Sequence, residues 1–194
     1  PFAAANTALA TDGLLIRVTG KAPKPLHISY RQSSDVSDAM LHHVVKVEAG
    51  AELTLLETGT AGARGNVVTE ADIADGGALH HVRPQGRAHG RQVVTHMFVR
   101  LGAEAVPKPF TLSLNGRMTR NECVVEFAGD DGVAHVAGAS AGDGKDFHHD
   151  DTVFVTHDAV GCESRQVFKK VLRNGAVGVF QGKILVKKIA QKTD

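Results

Sequence analysis

Residues 48–56 read EAGAELTLL: a turn of small residues around Gly50, then an alternating apolar run. The same grammar returns downstream as ADGGALHHV at 74–82, RLGAEAV at 100–106, DDGVAHV at 130–136 and RNGAVGVF at 173–180. Gly50, Gly77, Gly102 and Gly132 follow one another at intervals of 25 to 30 residues. A chain that turns a similar corner at such intervals reads as a solenoid, in which each coil buries its apolar face against the next. Glycine suits the corner because it tolerates positive φ and lets stacked backbones approach.

Outward from those corners, short β-branched or alternating runs dominate. They lie at 14–18 (LLIRV), 26–30 (LHISY), 43–48 (HVVKVE), 53–57 (LTLLE) and 66–73 (NVVTEADI). They continue at 92–100 (QVVTHMFVR), 110–114 (FTLSL), 122–127 (ECVVEF), 152–156 (TVFVT) and 183–187 (KILVK). Each is bounded by Gly, Asp, Asn or Pro, as strands with tight turns are. Helical periodicity is confined to a turn or two in 1–10, and 164–172 fits a short helix or a strand equally. The expected fold is all-β, a parallel β-helix with little helix; a β-sandwich also spaces short strands regularly and is the alternative.

The chain has 194 residues, enough for one domain, and 42% of them are apolar. Val, Leu, Ile and Ala supply that fraction, while aromatics make up 5% with no Trp and one Tyr, which suits a narrow coil interior. The formal charge of +1 makes no electrostatic case for nucleic acid or an anionic membrane. No apolar run approaches the roughly 20 residues that span a bilayer, and the N-terminus lacks the pattern of a signal peptide. Cys123 and Cys162 are too few for a disulfide framework, which points to a reducing, cytoplasmic setting.

Eleven histidines include the pairs His42-His43, His80-His81 and His148-His149. Imidazoles bind zinc or iron, but neighbours on a strand point to opposite faces and rarely share one ion. In FHHDDTVFVTH (147–157), an extended backbone puts His148, Asp150 and Thr152 on one face and His149, Asp151 and His157 on the other. Such side chains either pair as His–Asp couples or form polar ladders down the stack, and the ladder is the simpler expectation. His157 and Cys162 could form an imidazole–thiol pair, although packing in a turn accounts for Cys162 as well; Cys123, in ECVVEF, reads as a small core residue. GARGN (62–66) and AGDGKD (141–146) lack the phosphate-binding GxxxxGK[ST] pattern.

One tract is specific. HDAVGCESRQVFKKVLRNGAVGVFQGKILVKKIAQKTD (157–194) resembles the SufB/SufD family of iron–sulfur cluster assembly proteins, and within it the SufD branch. PFAAANTALATDGLLIRV (1–18) is similar to the start of the same core domain. The resemblance implies a right-handed parallel β-helix over 1–194. It also implies a non-enzymatic scaffold that pairs with SufB-like and SufC-like subunits, with self-association of the chain left open. Family members carry helical regions on either side and an interface Cys-x-His beyond the last residue here, so a piece of a longer protein is expected. His148, Asp150, His157 and Cys162 match family positions and are weak metal candidates; no catalytic residue follows. No stably bound cofactor is implied, only transient iron or an iron–sulfur cluster in the full complex. The other function class weighed is a β-helix carbohydrate-active enzyme, which would need sugar-stacking aromatics that this chain scarcely has.

Overall fold

A computed structural model describes residues 2–32, 34–86 and 89–190. One helix, α1 (Phe2–Leu9), precedes β1 (Leu15–Val18), β2 (Leu26–Tyr30), β3 (Asp38–Val47), β4 (Glu52–Gly59), β5 (Arg64–Ile73) and β6 (Ala78–Gln85). There follow β7 (Gln92–Leu101), β8 (Val106–Leu114), β9 (Met118–Phe127), β10 (Val133–Asp143), β11 (His148–His157), β12 (Glu163–Arg173) and β13 (Val177–Val186). The odd-numbered strands form a seven-stranded sheet and the even-numbered ones a six-stranded sheet, each in chain order. Every pairing is parallel. Each coil therefore contributes one strand to each wall of a flattened tube. This is the expected β-helix; the sandwich alternative requires antiparallel layers and is excluded.

The stacking is in register. Val47, Ile73, Leu101, Phe127 and His157 lie over one another at the end of successive strands of the larger sheet. Because side chains alternate along a strand, fixing one inward residue fixes the parity of the whole strand. Leu53 and Leu55, Leu79, and Val99 and Leu101 set that parity and fill the core.

Three strands escape a reading of local sequence. β6 carries paired histidines and Pro84, β10 is VAHVAGASAGD with little β-branching, and β12 is the stretch that fitted helix or strand. In β8, Pro107 and Pro109 hide the first half, so only 110–114 was expected. All four are held extended by neighbours on both sides or, for β12, on one; tertiary pairing overrides weak propensity.

The corner after each long strand does hold one left-handed residue per coil: Gly50, Gly76, Glu104, Asp131 and Gly161, with φ of 65°, 65°, 56°, 60° and 71°. Gly77, Gly102 and Gly132, taken from sequence as the turning residues, stand beside these positions and serve close approach instead. A Cβ on Gly102 would lie 2.3 Å from Asp75 Oδ1 of the preceding coil. The expected N-terminal helical turns are α1, which lies on the outer face of β3 and β5. Asn6 Nδ2 donates to the Leu41 and Asn66 carbonyls at 3.0 and 2.9 Å, and Asn66 returns a bond to the Phe2 carbonyl.

Candidate functional site

The tube interior is divided lengthwise. Where the larger sheet ends and the smaller begins, the inward residues are Val47, Ile73, Leu101 and Phe127 against Leu53 and Leu79, an apolar seam. The opposite side of the same interior is polar along most of its length. Parity explains this: β6 places Leu79, His81, Arg83 and Gln85 all inward, so a strand that begins in the apolar seam ends in the polar one.

The first polar cluster centres on Glu57 of β4. Its carboxylate accepts from His81 Nε2 at 2.6 Å, from Arg83 at 3.0 and 3.3 Å, and from the Tyr30 hydroxyl at 2.8 Å. His43 Nδ1 accepts from the Leu14 amide, which leaves its Nε2–H to donate to the Tyr30 oxygen at 2.9 Å. Burial alone would raise the Glu57 carboxyl, but the Arg83 charge and the bond from His81 overcome it and hold it well below the usual range. Burial lowers His43 and His81, so both are neutral imidazoles, and burial with the nearby Glu57 charge pushes the Tyr30 phenol up.

The second cluster lies further along the axis. Asn121 of β9 accepts from Gln85 Nε2 at 3.0 Å and from Thr95 at 2.8 Å, and it donates to Asp151 at 3.2 Å. Lys170 Nζ sits 3.0 Å from Asp151 and 3.0 Å from His149 Nδ1, and it donates to the Val179 carbonyl at 2.7 Å. Burial, aided by the Lys170 and Arg91 charges, lowers His149 to about 4. Between the clusters, two cavities of about 30 and 40 Å³ are bordered by Arg83 and Thr95; each holds at most a few water molecules' volume. Cys123 faces one of them, and burial pushes its thiol up to about 12, far from a reactive thiolate.

The four residues singled out from sequence are not brought together. His148 and Asp150 are on the outer face, where Arg120 holds Asp150 at 3.2 Å. His157 points inward, its ring 4.7 Å from that of Phe127 and its Nε2 3.0 Å from Ser164 Oγ. Cys162 is buried in the corner turn, its thiol donating to the Gly129 and Val160 carbonyls at 3.5 and 3.7 Å, and burial raises its pKa. His157 and Cys162 thus each have other partners. Among the described residues no group of three or more His, Cys, Asp or Glu is arranged to hold a metal ion. Asp151 does face His149, yet Lys170 lies between them in charge terms, which makes the contact part of a stack of polar side chains. Tyr30, Glu57, Arg83, Asn121 and Lys170 were missed in the sequence. The signal for Glu57 and Arg83 was present: each lies an even number of residues from an inward leucine.

The chemistry of these groups is absorbed by one another: the carboxylates meet cations or amides, the imidazoles are neutral and the thiols protonated. No helix among the described residues is long and apolar enough to cross a membrane. Comparison with curated proteins finds no match. The family described as SUF system FeS cluster assembly, SufBD core domain, matches residues 30–194, all but the first coil of the tube. The last four matched residues, 191–194, which include most of the terminal AQKTD wording, lie outside the described residues. With the match covering all but the first 29 residues, this chain belongs to the SufBD core-domain family of the SUF iron–sulfur cluster assembly system.

Proposed function

We propose that this chain is the β-helix body of a SufD-like, non-enzymatic scaffold subunit that works in the cytoplasm beside a SufB-like subunit and a SufC-like ATPase. The observation that carries the reading is the closure of the two interior clusters: Glu57, Asp151, His81 and His149 are engaged by each other, by Arg83 and by Lys170. Side chains so engaged stiffen a wall and offer no nucleophile or general base to a substrate. The SufD assignment is supported by VFQGKI at 179–184 and by Cys162 after His157. A β-helix ends in strand edges whose backbone groups can pair with a second β-helix, which is the expected mode of joining SufB. Both cysteines are free, in keeping with a reducing compartment. On this reading the chain alone holds no stable cluster, since iron–sulfur ligation normally wants several thiolates.

The test is co-expression of the full-length protein with SufB-like and SufC-like partners, followed by size exclusion with light scattering. A single ternary species is expected. Separate elution of the three chains at micromolar concentration would overturn the reading, as would anaerobic reconstitution of this chain by itself to a stable chromophore.

A further inference from the structure

The two outer faces of the tube carry charge differently. On the seven-stranded sheet, Lys46, Asp72, Arg100 and Glu126 stand over one another in register with alternating sign, and Arg17, next in the row beyond Lys46, pairs with Glu48 instead. On the six-stranded sheet, one outward row runs His80, Lys108, His135 and Arg165. No acid interrupts it. Glu163 lies two residues before Arg165 on β12 and reaches to 3.7 Å from His135, and Glu52, on the neighbouring β4, lies 3.9 Å from Lys21. Among the described residues Lys108 and Arg165 make no ion pair. Lys108 and Arg165 are the fixed cations of the row, two strand spacings of about 4.8 Å apart, and within the sheet the only acid that reaches the row among the described residues is Glu163, at His135.

The adjacent outward row is apolar: Leu56, Val82, Phe110, Ala137 and Val167. Phe110 is 36% exposed and Val167 37%. A row with Lys108 and Arg165 as its fixed cations and an apolar row thus run side by side along the tube axis, separated by two residues of strand, about 7 Å.

We infer that this face docks a helix of a partner protein, laid along the tube axis, with a seam of carboxylates beside an apolar seam. The spacing supports a helix. One helical turn rises about 5.4 Å against about 4.8 Å per coil, so carboxylates repeated once per turn stay near the row across its four coils. The apolar row favours a protein over a polyphosphate or a lipid headgroup, either of which would set charge against Val82, Phe110 and Val167 without covering them. This inference is independent of whether the chain is SufD-like.

The probe is a synthetic helix of about four turns with Glu once per turn beside a Leu seam, followed by fluorescence anisotropy against the full-length protein. Binding that weakens about fivefold from low to physiological salt is expected, and a peptide with Lys in place of Glu should not bind. The paired reversals Lys108→Glu and Arg165→Glu should weaken binding at least about tenfold, and Val167→Asp should do the same. All three side chains are exposed, so the melting temperature should hold; if it falls, Lys108→Gln with Arg165→Gln reads the same loss. Binding that ignores these substitutions overturns the inference. So does equal or tighter binding of a single-stranded oligonucleotide or of phosphatidylserine vesicles, which would make the row a general anion surface.

Discussion

Replacing Glu57 with Gln keeps the shape of the side chain and removes the one negative charge in the first interior cluster. Arg83, 7% exposed, would then carry a buried charge facing an amide, and two of the four bonds accepted by the carboxylate come from it. Breaking a buried pair by removing one partner costs roughly 3–5 kcal/mol, because the remaining charge is left uncompensated. For a chain of this length about 1 kcal/mol moves the melting temperature by 2–4 °C, so Glu57→Gln should melt roughly 6–20 °C lower. Far-UV circular dichroism against temperature at neutral pH reads this. Glu57→Leu combined with Arg83→Met removes both charges and should recover most of the loss, since apolar replacements of a whole buried pair are often neutral or stabilising. A melt of Glu57→Gln within about 2 °C of the parent would show that Arg83 is not desolvated, and a double variant less stable than either single one would refute the uncompensated-charge argument. The linkage has a definite sign. The Glu57 carboxyl lies well below 4.5 when folded, so its contribution is fully present above that pH and is lost as pH falls through the folded value.

Buried His149 is held neutral where Glu57 is held charged, yet it shifts stability in the same direction. His149 is lowered from 6.5 to about 4, so the unfolded chain takes up a proton that the folded chain refuses, and stability should fall by about 3 kcal/mol between those pH values. Melting temperature measured from neutral pH to about 4.5 should show that slope, and His149→Gln should flatten it. At the corners, Glu104 holds φ 56° where three other coils have glycine and one has Asp131. Glu104→Gly should stabilise by up to about 1 kcal/mol, and Gly50→Ala should cost a similar amount, both read by urea midpoint. With a thiol near 12, Cys123 carries about one part in ten thousand of thiolate at pH 8, so iodoacetamide should label it in urea and scarcely in the native protein, followed by mass spectrometry.

His157 and Cys162 show where reading the sequence stopped. Five residues apart and chemically capable, they suggest a pair, yet five residues here carry the chain out of β11 and round a corner. The ring ends against Phe127 and the thiol against carbonyls of the turn. In FHHDDTVFVTH the alternation did predict which side chains share a face, because strand geometry is local. It did not predict that Lys170 would close the inward set, because Lys170 comes from the opposite sheet.

The sequence by itself determined the coil. Recurrent small-residue corners and alternating runs specify strands that must stack, and residues 157–194 carry the family pattern. Only the tertiary structure decided the polar interior and the charged outer row. Glu57 meets Tyr30 and Arg83 across 27 and 26 residues, and the Lys108 row is assembled from four separate strands. Such contacts depend on inter-strand register, which is a property of the closed stack; alternation within one strand fixes only its parity and not which residues of distant strands meet.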